Sequence, residues 1–577
     1  MGTLKQHPAR GAVLYDVSRL IARRNAASPT GIDRVDLRYA LRAIRGAWGP
    51  CMLVAQVHGE PLEVPRPLGR RLLAMLEEKW ITGGLGVSVD SDLKAAGLVD
   101  GSPSAEAKRQ AVRAVLAFAS SWPGCVYLNA SHHGLGNLNF FLKLQHVLGG
   151  GFVFFVHDLI PIELPEYVRT GDDVEHSRRI RNVLELGARV IANSSATSDT
   201  LAVWAQQQGL PAPKTTVAHI GVEKAFLEAG REFNSSSDDR PSFVCVGTIE
   251  PRKNHISLLH IWRHFAGNLP AEKIPQLVLV GKRGWECEHV FSMLDRCKAL
   301  RAHVKELSNV NDAALISTIR SAKALLFPSF AEGWGMPLVE ALTLGVPVIC
   351  SDIPVFREAS QGLAEFVDPL DAATWRDRVL ARSLESESER QLQQSQTVLF
   401  KPPTWARHFE TVDPFIIEAM KIGSRRVAPR YALPRVDSLA EEQPNQDCGE
   451  IVGGSGEFDS AVFEADTHRD SKRWEEAVAS YRTALRIQPS NAGIFVQLGH
   501  ALKESGKITA AYDAYRRALS LTPSDADLHL QVGHLFKLAG LVNQAFAYYE
   551  MAWQLDPNLS DAAAHLTWAK SQISAVA

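Results

Sequence analysis

The stretch "FPSFAEGWGMPLVEALTLGVPVIC" (residues 327–350) begins at the end of one apolar run, "ALLF", and ends in another, "VPVIC". Short runs with no polar alternation suit strands of a parallel sheet, because helices cover both of its faces. Between them "PLVEALTL" has the length of a crossover helix. Pro337 suits its first turn, where the missing N–H would be unpaired anyway. Gly345 suits its left-handed end. The stretch therefore reads as strand, loop, helix, strand: one unit of a doubly wound sheet. Glu332 and Glu340 lie eight positions apart, separated by Gly333, Gly335 and Pro337. The amides near Gly335, Met336 and Leu338 would form the positive end of the helix and could hold a diphosphate. The two glycines would let backbone approach a ligand with no Cβ in the way. A carboxylate can accept hydrogen bonds from two vicinal hydroxyls, so one glutamate suits a sugar and the other a ribose. The segment suits a nucleotide-sugar.

The same rhythm extends in both directions. Upstream, "AVLYDVS", "CMLVAQVHG", "CVYLNAS", "GFVFFVHDL", "RVIANSS" and "TTVAHIG" are strand candidates. From residue 241 the pattern restarts with "SFVCVGT", "QLVLVG", "ALLFPS" and "VPVICSD". Two doubly wound parallel-sheet domains are expected, over 1–230 and 231–421, the second ending in helix on both sides of Pro414. Residues 62–110 are less regular. Residues 422–457, rich in Pro, Gly and charge, read as a linker.

Beyond it the chain repeats. Ala477, Ala511 and Ala545 are 34 residues apart, as are Tyr481, Tyr515 and Tyr549, Ala484, Ala518 and Ala552, and Pro489, Pro523 and Pro557. Gly499 and Gly533 keep the interval. Small residues let paired helices approach, tyrosines fill the gap, and proline ends each second helix. This is the tetratricopeptide pattern, in copies at 458–491, 492–525 and 526–559, with a capping helix after them. The first copy starts poorly, with Glu464 and His468 at apolar positions.

Composition narrows the function. A formal net charge of −2 gives no case for nucleic acid. Seven cysteines form no CxxC and no Cys/His cluster, which suits buried thiols in a reducing compartment. With neither a secretory leader nor a membrane-length apolar run, the chain reads as cytoplasmic. Its first fifty residues, with Lys5, Arg10, Arg19, Arg23, Arg24, Arg34, Arg38, Arg42 and Arg45, present a basic face. Such a face suits an ordinary solvated helix surface first, and peripheral contact with an anionic inner membrane surface as the alternative.

The segment at 327–350 resembles the signature of family 4 glycosyltransferases, retaining enzymes of the GT-B fold. "FVCVGTIEPRKNHISLLHIW", "LVLVGKRGW" and "GVPVICSDIPVFRE" follow that family's order. "SPTGIDRVDLRYA", "FVHDLIPIELPEYV" and "VIANSSATSDTL" resemble a bacterial polysaccharide branch. The likeness covers about residues 12–420. It implies that Arg252 and Lys253, before an expected N-cap at Asn254, stabilise the leaving diphosphate. Gly247, Thr248 and Lys282 would line the donor site with Glu340, Gly333, Gly335, Met336, Pro337 and Leu338. Thr248 stands where many members have Arg, so Arg252 is a candidate substitute. Glu332 and His157 would approach the donor sugar. Thr30, Gly31, Ile32, Asp158, Asn129 and His132 (with His133) would form the acceptor side. The implied mechanism is retaining transfer with no required metal, the acceptor attacking from the face the nucleotide leaves. "VGTIEPRKN" resembles mannosyltransferases. The acceptor is expected to be a polysaccharide or lipid-linked glycan, with the repeats binding a protein partner. A protein acceptor, or a non-catalytic scaffold, are the competing readings. "DSD" at 90–92 resembles the metal triplet of another transferase fold. It lies in the irregular insert and is not counted in the site.

Overall fold

The two blocks of alternation form two sheets. The computed structural model describes residues 11–84, 86–99, 105–145, 147–230, 240–386, 388–389, 397–423, 455–522, 524–538 and 542–576. The first sheet comprises β1 (Val13–Asp16), β2 (Cys51–Val57), β3 (Glu60–Val64), β4 (Val126–Asn129), β5 (Gly151–Val156), β6 (Arg189–Ala192) and β7 (Thr215–Val217). Their order is β3-β2-β1-β4-β5-β6-β7, parallel except for the β2–β3 hairpin. The second sheet comprises β8 (Ser242–Val246), β9 (Gln276–Val280), β10 (Val304–Leu307), β11 (Ala324–Phe327), β12 (Val348–Ser351) and β13 (Glu365–Val367). Its order is β10-β9-β8-β11-β12-β13, with every pairing parallel. The order reverses between β1 and β4 and again between β8 and β11. At such switch points a crevice opens beyond the carboxyl ends of the strands.

The helix Trp405–Gly423 follows the second sheet yet packs on the first. Its His408 Nε2 meets the Tyr39 hydroxyl at 2.7 Å, and Trp48 and Arg42 each donate to Asp413 at 2.9 Å. Gly221 makes room for it: a Cβ there would stand 2.3 Å from the Trp405 nitrogen. Two doubly wound domains bridged by a returning helix are the GT-B arrangement. The helix runs through Pro414, which costs it one backbone donor.

The insert at 62–110 is more regular than its sequence, with helices at Arg66–Glu77, Asp90–Ala95 and Ala105–Ser121. Asp90 bonds Arg24 and Asp92 bonds Arg71, at 2.5 and 2.7 Å, so "DSD" serves the fold. The expected basic face is also altered by packing. Arg19 and Arg23 pair with Asp33, Arg24 with Asp90, Arg34 with Asp312, Arg38 with Glu223, Arg42 with Asp413 and Arg45 with Glu77. Those arginines are therefore engaged with carboxylates of this chain, Arg19 and Arg23 sharing Asp33. Lys5 and Arg10 lie outside the described residues.

Residues 1–427 and 428–577 form two compact units. In the second, the described residues form seven helices between Ser455 and Val576. The residues repeated at 34 positions are its core: Ala477, Ala511, Ala545, Tyr481, Tyr515, Tyr549, Ala484, Ala518 and Ala552 are all fully buried. A Cβ at Gly499 would stand 2.4 Å from the Tyr515 ring, and one at Gly533 2.5 Å from Tyr549. The weak first helix forms nonetheless, burying Ala461 and Ala465 and accepting the Tyr481 hydroxyl at Asp466 (2.6 Å). The linker expected at 422–457 lies outside the described residues over 424–454, as do Pro523 and the domain junction at 231–239.

Candidate active site

The second switch point gathers the charged residues of the motif. A Cβ on Gly281 would come within 1.9 Å of the Gly247 carbonyl, so the ends of β8 and β9 pack backbone to backbone. Past Gly247 and Thr248, a tight turn at Pro251–Lys253 directs two cations toward the loop after β11. Arg252 donates to Glu250 at 2.7 Å, to Glu332 at 3.0 Å and to the Ala331 carbonyl at 2.9 Å. Lys253 pairs with the other Glu332 oxygen and lies 4.9 Å over the Phe327 ring. Burial works to raise the Glu332 pKa, but the charges of Arg252 and Lys253 prevail and hold it at about 2. Asn254 is not the side-chain cap expected: it adopts a left-handed conformation and donates to the Pro369 carbonyl at 3.0 Å.

The helix that follows is Met336–Thr343. Gly335, at φ +90°, turns the chain into it. Two expectations change here. The Leu338 amide is not free, because it donates to the Gly335 carbonyl at 3.0 Å. The glycines make room for protein. A Cβ at Gly335 would meet the Phe356 ring at 2.9 Å, and one at Gly333 would stand 2.3 Å from the His157 carbonyl. Gly333 thus joins the two halves. Glu340, only 7% exposed, has no hydrogen-bond donor or ion-pair partner in contact among the described residues. Burial pushes its carboxyl up to about 8; Arg34 opposes this, while Asp312 and Glu223 add to it.

From the first half, His157 and Asp158 follow β5. His157 is buried and donates from Nε2 to the Ala130 carbonyl at 2.9 Å. Burial lowers its pKa to about 4, so the ring is neutral with Nδ1 as its acceptor. His132 Nε2 accepts the His157 amide at 3.1 Å, and burial beside His176 and His157 keeps His132 neutral too. Asn129 is committed to its own loop, donating to His133 and accepting from Ser131. Thr30 caps the helix Gly31–Ile44 through a reciprocal pair with Asp33, and Ile32 is half-buried beside it. A Cβ on Gly31 would lie 3.1 Å from Met336 Sδ, so this helix start meets the start of the helix Met336–Thr343. Lys282 is exposed after β9, its carbonyl accepting from Ile249 at 2.8 Å.

Other residues of this cleft do not stand out in the sequence. Arg34 forms a bidentate pair with Asp312 across the halves, at 2.7 and 3.1 Å. Tyr167 stacks on Phe330 at 4.6 Å and His219 on Trp334 at 4.5 Å. Glu358 accepts the Ser195 amide at 2.8 Å. These pairs are long-range, so spacing gives no sign of them. Arg34, Tyr167, Ser195, Phe330, Trp334 and Glu358 each lie inside a segment quoted above, but the segments do not show which of them meet.

Residues 228–395 match the model of glycosyl transferases group 1, and 465–506 and 499–540 match a TPR repeat. Among curated proteins, the chain is 32% identical over 236 residues to the serotype-specific mannosyltransferase WbdA of Escherichia coli, covering 38% of this chain and 28% of that one. It is 33% identical over 150 residues to the O-antigen chain mannosyltransferase B of Escherichia coli, covering 26% and 38%. The match thus spans about a quarter to two fifths of the length of these relatives. Among solved structures it resembles HepE of Anabaena in complex with UDP-glucose, at 15% identity and TM-score 0.45, covering 71% of this chain and 98% of that one. The chain therefore joins a group 1 glycosyltransferase domain of GT-B architecture to tetratricopeptide repeats.

Proposed function

We propose that this chain is a retaining hexosyltransferase that moves mannose from a nucleotide-diphospho-sugar to a polysaccharide or lipid-linked glycan. The observation that carries the reading is the second switch point. There Arg252, Lys253 and Glu332 form one ion-paired cluster, while Glu340 on the adjoining helix is buried without a hydrogen-bond donor. Mannose is favoured by the likeness to a serotype-specific mannosyltransferase and to an O-antigen chain mannosyltransferase.

Glu340 accepts the ribose hydroxyls and gains the hydrogen bonds it lacks. The donor diphosphate competes with Glu332 and Glu250 for the Arg252 and Lys253 cations. As the bond from sugar to phosphate breaks, those cations stabilise charge on the leaving oxygen without solvent reorganisation. They require no metal in this role. Glu332, released in part from its cations, takes sugar hydroxyls. His157, neutral and fixed at Nε2, presents Nδ1 as an acceptor beside the reacting carbon. The glycan enters from the side of Thr30, Gly31 and Asp158, and the leaving phosphate takes its hydroxyl proton. The tetratricopeptide unit recruits the enzyme to a protein partner in the cytoplasm.

The test is transfer from radiolabelled GDP-mannose into a cell extract, followed by solvent partition. Label in lipid or polysaccharide supports the reading. Label in protein moves the acceptor to the competing class, and no transfer with any nucleotide-sugar removes the enzyme.

A further inference from the structure

Among the described residues the Glu340 carboxyl has no contact partner, and the cation whose charge acts on it, Arg34, comes from the other half of the transferase unit. Arg34 lies one turn into the helix Gly31–Ile44, whose first residue meets Met336 at the start of the helix carrying Glu340. Its guanidinium is fixed by Asp312, bidentate at 2.7 and 3.1 Å, with side chains only 12% and 16% exposed. Asp312 is itself fixed in the first turn of the helix Asp312–Ser321, where the helix dipole favours an anion. Arg34 makes no ion-pair contact with Glu340, yet its charge is felt there. The remaining charged groups acting on Glu340 are Asp312 and Glu223, and Glu223 is held by Arg38.

We propose that Arg34 is a positioning residue of the donor site: docked on Asp312, it supplies from the first half the charge that keeps Glu340 able to accept the donor's ribose hydroxyls. This rests on the donor-site reading above. It makes nucleotide affinity a property of both halves in contact, and it assigns opposite effects to two residues that form one salt bridge. Removing Arg34 withdraws the charge that favours ionised Glu340. Removing Asp312 withdraws a charge that disfavours it.

The experiment is calorimetric titration of the full chain with GDP between pH 5.5 and 9.5, in wild type, Arg34→Met, Arg34→Lys and Asp312→Asn, with thermal unfolding measured in parallel. Affinity should rise with pH as Glu340 ionises. Arg34→Met should move that rise upward by about one pH unit, a roughly tenfold loss at neutral pH. Asp312→Asn should move it the other way, and Arg34→Lys should leave it near wild type. Equal losses in Arg34→Met and Asp312→Asn, with the midpoint unmoved, would make Arg34 mere interdomain glue and overturn the proposal. If the wild type binds no nucleotide, the donor-site reading fails, and the unfolding curves still decide the charge coupling. Arg34→Met should then lower Tm more at pH 9 than at pH 5.5, and Glu340→Gln should erase that difference. A difference unaffected by Glu340→Gln would also overturn it.

Discussion

Glu332 and Glu340 share a motif and a helix start, yet their environments drive them apart. Glu332 is ionised by two contacting cations, whereas Glu340 is desolvated with none in contact. Because the folded pKa of Glu332 is depressed to about 2 from an unfolded value of 4.5, its ion pairs stabilise fully above that higher value. The contribution disappears as pH falls through about 2. Glu332→Gln should therefore cost about 3 kcal/mol near pH 7, since it leaves Arg252 and Lys253 buried and unpaired. Urea unfolding at pH 7 and pH 3 would check both the size and its decline in acid. Glu340 has the opposite sign. Its raised folded pKa means that ionisation costs stability as pH climbs from 4.5 through about 8. Glu340→Gln should raise Tm at pH 9 more than at pH 5 while weakening nucleotide binding, a stability gain at the expense of function. These four charged residues were legible because they cluster within two short motifs. Arg34 with Asp312 was not, because 278 positions separate a pair that only the fold joins.

Among the elements, the buried strands were the readable ones. All ten strand candidates drawn from the sequence contain a strand of the structure. The three strands that were missed, β3, β10 and β13, lie at sheet edges. There one face or one side is wet, so the sequences "EPLEV", "VKEL" and "EFV" carry charge or proline that masks them. The glycines of the motif were visible, but their purpose was not. Gly333 and Gly335 read as openings toward a ligand, and they admit the His157 carbonyl and the Phe356 ring instead. Gly333→Ala should thus push the two halves apart, because its new methyl would meet backbone that cannot rotate away. We expect at least a tenfold loss of transfer with only a small fall in Tm, measurable by initial rates beside calorimetry. In the repeats the same logic concerns stability alone. Tyr515→Ala should destabilise the helical unit by about 3–5 kcal/mol, as the loss of a fully buried aromatic does. Its unfolding transition should move while that of the transferase unit stays.

At the scale of the whole molecule, the 34-residue interval and the twofold βα rhythm were readable because each is a periodic packing constraint. What the sequence obscured was the fate of its charges. The arginines of the first fifty residues are paired with carboxylates, several of them distant in sequence. The residues of the proposed donor site all lie in the unit 1–427, and the repeats form a unit of their own. A chain ending at residue 423 should therefore bind nucleotide as tightly as the full protein, within about a factor of two, by calorimetry. The most direct test of the central claim is titration of the full chain with GDP, UDP and ADP in the absence of metal, alongside Glu340→Ala. The account predicts selective binding of one nucleotide, GDP, that the substitution abolishes. Binding of none of the three, or binding that Glu340→Ala leaves intact, would contradict it.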